Sequence, residues 1–336
     1  MKVKIVFLIA IVAVICLSPF EMYSRAKPAR TAVETGSSDP RVDSMRYGMV
    51  YISHMTLDIV SVLDPEHNRV VRKIKSGMGA CCVELCSRLD HGYVANFTSN
   101  DITVFDKKTG KTIATVPAGE HPSQLILTSD ARYLLISHQS KDGLWFLDTR
   151  TNEVVKKLSE GTGVLCRHEK GSKIYQSQIF TPFVYIINPE LQSVEKRINV
   201  GGRPLDLAFT PNQRYLYVTN YDLNEVEQID TECDSVVARI HGVNNARGIA
   251  VTPDGKFAYV TNVQLSTLTI IDLASAAVVK TIPVGTMPTS IAMRPDGKYA
   301  YVSCQGNASV FVIDTKTQEI VQSIVVDSNP ITVQVK

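Results

Sequence analysis

From Met49 onward the chain is a succession of short apolar runs cut by polar turns, and the runs recur in a fixed order. The clearest unit lies between Pro204 and Val243. Leu205 to Phe209 mixes apolar and polar positions, and Thr210-Pro211-Asn212-Gln213 interrupts the pattern. Tyr215 to Thr219 is a second run. Val226 to Ile229, closed by Asp230, and Ser235 to Ile240 complete the unit. Runs this short, rich in Val, Ile and Tyr and bounded by Pro and Asn turns, predict β-strands. An amphipathic helix would need roughly ten or more residues of 3.6-residue periodicity.

The second run carries a tetrad, Tyr217-Val218-Thr219-Asn220, that returns unchanged as Tyr259-Val260-Thr261-Asn262. Looser copies start at Tyr51, Tyr93, Leu135, Tyr175 and Tyr301, so successive starts stand 42, 42, 40, 42, 42 and 42 residues apart. The residue closing the third run, Asp64, Asp106, Asp148, Asn188, Asp230, Asp272 or Asp314, repeats with the same spacings. A side-chain oxygen there can accept from turn amides, so these residues read as turn formers and not as catalytic carboxylates. Seven copies of a four-strand unit predict an all-β fold, a seven-bladed β-propeller of four-stranded blades. The first copy lacks its leading strand, and Pro330 to Val335 supplies one at the other end. This C-terminal strand is expected to pair into the first blade and close the ring. The propeller would span 48–336.

The N-terminal stretch follows different rules. Met1 to Lys4 is basic, and Ile5 to Leu17 is an unbroken run of 13 apolar residues. That is short for a membrane span and fits a signal-peptide core, with cleavage expected after Ala26. An uncleaved anchor is the alternative; the body is exported in either case, with no membrane span after cleavage. Ile15 before Cys16 argues against a lipoprotein signal. Residues 27–47, rich in Ala, Ser, Pro and charge, read as a flexible lead-in. The whole chain of 336 residues has a formal net charge of +2 with charges scattered, so no nucleic-acid footprint is visible. No Gly-rich phosphate loop, Gly-x-Ser-x-Gly elbow or Cys-x-x-Cys-His haem motif is present.

The repeated Tyr-Val-Thr-Asn, with Thr252-Pro253-Asp254-Gly255-Lys256 before one copy and Val284-Gly285 after it, resembles the YVTN family of propellers over residues 48–336. The resemblance implies the fold and leaves the function open. Size, export signal, blade count and the missing haem motif are also similar to the propeller subunits of hydrazine synthases of anammox bacteria. That likeness implies a non-catalytic scaffold with no cofactor of its own, exported to the periplasm or anammoxosome lumen. Its partners would be haem-containing subunits of a hetero-oligomeric complex that join nitric oxide and ammonium into hydrazine.

Departures from the repeat single out candidate residues. The fourth tetrad position reads His54, Asn96, His138, Gln178, Asn220, Asn262 and Cys304. His54 and His138, with His121 at the head of a first strand, are candidate tetrapyrrole ligands, as in the propellers that carry d1 haem. The other reading is that His replaces Asn as a local hydrogen-bond partner. Cys81-Cys82 is either a vicinal disulfide or two separate thiols; these two, with Glu84 and Cys304, are expected near the channel mouth. Glu84 stands where other blades carry Ala208, Ala250 and Ala292, and needs a partner if buried, with Arg247 one candidate. The loop into blade six, His241 to Arg247 with Asn244 and Asn245, loses the usual Pro and gains an Arg. It suits an anion or a partner surface. No metal site follows from these spacings. A cell-surface adhesion role is a third functional reading.

Overall fold

The computed structural model describes residues 48–86, 88–169 and 173–336. The expected signal peptide, 1–26, and lead-in, 27–47, lie outside the described residues. Among those residues, strands β1 to β28, in chain order, form seven four-stranded antiparallel sheets. Blade five shows the plan: β16 (Pro204–Phe209), β17 (Tyr215–Asn220), β18 (Glu225–Asp230) and β19 (Ser235–His241), ordered from channel to rim.

The ring closes as the sequence predicts. Blade one has the order β28 (Pro330–Val335), β1 (Val50–His54), β2 (Ile59–Asp64) and β3 (Arg69–Lys75). Val50 faces Val335 and Ser53 faces Thr332 in antiparallel register. The ladder runs one step further, where Met49 and Lys336 exchange backbone hydrogen bonds of 2.9 and 3.0 Å. The first blade therefore has no unpaired inner edge.

Burial follows position within a blade. The second strands are buried on both faces because each sheet is sandwiched between two neighbours, whereas the fourth strands alternate at the rim. The apolar clusters accordingly join blades. Tyr175 and Val184 of blade four pack with Leu207, Leu216 and Ile229 of blade five. Tyr217 and Val226 of blade five pack with Ile249, Ala258 and Val260 of blade six. Three of the tetrad tyrosines also hydrogen-bond outward to the next blade. Tyr175 Oη donates to Asp234 (2.6 Å), Tyr259 Oη to the Thr315 carbonyl (3.3 Å), and Tyr301 Oη to Asn68 (3.2 Å) across the ring seam.

All seven residues that close the third strands are turn formers. Each accepts at least one backbone amide two or three residues on: Asp64 from Glu66, Asp106 from Thr109, Asp148 from Arg150, Asn188 from Glu190, Asp230 from Glu232, Asp272 from Ser275 and Asp314 from Lys316. Those bonds hold the Asp106, Asp148 and Asp272 carboxyls below the usual carboxylate range.

Candidate functional site

The fourth tetrad residues lie at the ends of the second strands, on the face where fourth strands hand over to the next blade. Each sits beside the residue seven positions later, on the third strand. Asn220 shows what the pair does. Its Nδ2 donates to Glu227 (2.8 Å) and to the Gly201 carbonyl (2.9 Å), while its Oδ1 accepts from Arg203 N–H (3.1 Å). The incoming loop is thereby latched to the blade it enters. Asn262 does the same with Thr269 (2.8 Å) and the Asn244 amide (2.9 Å), and Asn96 bonds Thr103 (2.8 Å).

The two histidines perform this same task. His54 Nδ1 lies 3.1 Å from the Ser328 carbonyl and Nε2 lies 2.9 Å from the Ser61 hydroxyl, which donates its proton to Asp327 (3.2 Å). Burial pulls its pKa below the ordinary value, with Ser328 and Asp327 offsetting part of the effect. In His138, Nδ1 lies 2.9 Å from the Gly143 carbonyl and Nε2 lies on the Ala118 carbonyl, and the ring packs 4.9 Å from Trp145. Both rings are fully buried, and neither turns a nitrogen lone pair to open space. A tetrapyrrole iron could be ligated by either only after its latch was broken. His121 is elsewhere: half-buried, it stacks on Phe97 at 4.4 Å. Among the described residues, no group of three or more His, Cys, Asp or Glu is placed to hold a metal ion.

The cysteines expected at the channel mouth are core residues. Cys81 and Cys82 are separate thiols, both buried in the cluster between blades two and three. Cys304 packs against Tyr259, Ile291 and Val302. Adjacent or terminal strand residues are not exposed here, because neighbouring blades cover both faces of the strand. Burial pushes Cys82 up to about 11 and Cys304 up to about 12, so both stay protonated and unreactive.

Glu84 does line the channel, but its partner is not Arg247. Lys336 Nζ reaches it at 2.6 Å, and Leu127 N–H donates to it at 3.3 Å. Beside this pair, the Gln334 side chain accepts from Val83 N–H (2.8 Å), so the closing strand is tied to blade two as well as to blade one. In the loop into blade six, His241 is exposed and lies 3.3 Å from Glu225, the Asn244 amide is latched by Asn262, and Asn245 N–H donates to Asn224 (2.8 Å). Arg247 alone turns into the central channel, a cavity of about 440 Å³ lined by the first strands.

There it meets Asp206, which sequence reading missed. Asp206 accepts from the Leu207 and Ile249 amides (2.9 and 3.1 Å). Burial pushes its pKa up to about 6, against the pull of those amides and of Arg247. A signal existed: pairing register places Asp206 where other blades carry Gln124, Gly248, Ser290 and Thr332. Glu227 was missed in the same way. It occupies the latch place of Ser61, Thr103 and Thr269, and burial pushes it up to about 8.

These features define a class, a ring-closed seven-bladed propeller with latched loops on one face and a narrow polar channel. Residues 44–335 match the YNCE-like beta-propeller family, and the chain belongs to it. Among solved structures it is similar to Kuenenia stuttgartiensis hydrazine synthase, with 20% identity and a TM-score of 0.70 over 80% of this chain and 92% of that one. A functionally unknown protein from Desulfotomaculum acetoxidans DSM 771 shares 13% identity, with a TM-score of 0.74 over 86% and 98%. A candidate 6-phosphogluconolactonase from Bacteroides fragilis NCTC 9343 shares 14%, with a TM-score of 0.72 over 86% and 98%. At such identities the likeness is one of fold. No curated protein matches the sequence. Among the described residues, no helix is long and apolar enough to cross a membrane.

Proposed function

We propose that this chain is an exported, non-catalytic propeller that acts as a scaffold and recognition subunit beside haem-bearing partners, in a complex of the hydrazine synthase kind. One observation carries the reading: His54 and His138, the two histidine outliers of the repeat, are committed to latching loops. Such a pattern favours a rigid body over a reactive centre. The latched face suits a partner. Met78, Phe180, Leu223 and Leu265 are exposed in its loops, and His241 stands at its edge. Exposed apolar side chains among polar loops are what protein interfaces use. The fold likeness to hydrazine synthase supports the choice of complex. In that setting this chain carries no cofactor, and the joining of nitric oxide to ammonium takes place on partner haems. Export rests on the basic start and apolar run within 1–26.

The test is purification of the complex from its native source. Co-purification with multihaem subunits, and an isolated chain without a Soret band, is the expected result. A Soret band that stays with the isolated chain and disappears in His54→Ala or His138→Ala would overturn the reading.

A further inference from the structure

The channel holds a charge arrangement that scaffolding does not require. Its two polar ends differ. At one end Glu84 and Lys336 satisfy each other at 2.6 Å. At the other, Arg247 lies on the second residue of β20 (Ala246–Val251), next to the loop face, and Asp206 lies on the third residue of β16. Asp206 and Arg247 act on each other electrostatically, yet form no ion pair. Among the described residues, the guanidinium of Arg247 has no hydrogen-bond partner. Besides Asp206, the ring hydroxyl of Tyr221 acts on it. Asp206 is held rigidly by two amides, one on each oxygen, and each oxygen keeps a lone pair.

A half-buried guanidinium without a partner, beside a positioned carboxylate, leaves a gap between opposite charges. Filling it with a simple anion would satisfy Arg247 and repel Asp206; a simple cation would do the reverse. A ligand bearing both charges satisfies both, and its net charge of zero matches the site. The cavity, about 440 Å³, is within the size range of small-molecule sites, roughly 300–1,000 Å³.

We infer that the loop-face end of the central channel binds a small zwitterion of the α-amino-acid type. Its carboxylate is taken by the fork of Arg247 and its ammonium by Asp206. Gln124 and Ser290, at the same register as Asp206 on the first strands of blades three and seven, also line the cavity. The ligand enters from the face that carries the latched loops.

The repeat supplies substitutions that the fold already accommodates. Arg247→Leu copies Leu205 of blade five, and Asp206→Ser copies Ser290 of blade seven. The experiment is isothermal titration of the propeller with glycine and L-serine, and with propionate and ethylammonium as single-charge controls. The expected result is saturable binding of glycine or L-serine. Each control should bind at least tenfold more weakly. Arg247→Leu and Asp206→Ser, both checked for an unchanged β-sheet circular dichroism spectrum, should each lose at least tenfold. If Asp206→Ser fails to fold, Arg247→Leu decides alone. Absence of saturable heat from both zwitterions, propionate binding as tightly as glycine, or a folded Arg247→Leu that binds like the parent protein would each overturn the inference.

Discussion

Glu227→Gln offers a quantitative test of how the latches are built. In the unfolded chain this carboxyl ionises near 4.5, whereas in the folded protein it holds its proton to about 8. Burial is the main cause, and the nearby Glu225 adds to it, while the Asn220 amide offsets part. The sign follows from linkage. Below pH 4.5 both states are protonated, and the group contributes nothing to the pH dependence. Between 4.5 and 8 the unfolded chain ionises while the folded one resists, so stability falls as pH rises. Above 8 both are ionised, and the penalty is constant. Every tenfold difference in proton affinity between the two states is worth about 1.4 kcal/mol, so the full penalty is on the order of a few kcal/mol. Gln keeps an oxygen to accept from Asn220, which lies 2.8 Å from Glu227, and cannot ionise. Urea unfolding of both proteins from below pH 4.5 to above pH 8 is the assay. The stability difference should be small at the acid end, grow in favour of Glu227→Gln through the interval, and level off. Parallel curves across the whole range would refute the assignment of a proton to this buried carboxyl.

Other perturbations probe the ring and its seams. Deleting residues 330–336 removes β28 with the Lys336–Glu84 pair, and leaves blade one with three strands and a bare edge; a thermal melt should broaden and shift downward, and an unchanged melt would contradict the closure. His54→Asn should fold normally, because Asn fills that place in blades two, five and six. The folded pKa of His54 is lowered by burial, so its contribution to stability is present above 6.5 and lost as pH falls below it. In urea unfolding, His54→Asn should lack that acid-side loss, and retention of it would show that another group is responsible. Tyr301→Phe removes the bond to Asn68 across the seam and should cost about 1 kcal/mol in denaturant unfolding; no change would remove the tyrosines as staples between blades.

The blades, the turn residues and the closing strand were legible because each is a local or periodic feature. A strand shows its period within a few residues, and seven Asx turns repeat with the blades. The candidate site was only partly legible, because it depends on contacts between blades. Glu84 and Lys336 are 252 residues apart, and nothing in their neighbourhoods announces the pair. Cys304 resembles a mouth residue by its place in the tetrad, but packing of the next blade buries it. The histidines stood out as chemical outliers, yet imidazole offers the same two hydrogen-bonding positions that the Asn amide uses in other blades. Asp206 escaped notice for the opposite reason. The first strands vary at that register among Gln, Gly, Ser and Thr, so an Asp does not break a fixed rule. Only the convergence of seven first strands on one channel sets it beside Arg247.

This propeller is proposed to work beside haem proteins without holding a haem. Size-exclusion chromatography of the native complex, followed at the protein and Soret bands before and after its subunits are separated, tests it most directly. The chain should co-elute with Soret absorbance in the complex and carry none once separated. A separated chain that keeps its Soret band, or a native chain that never elutes with haem proteins, would contradict it.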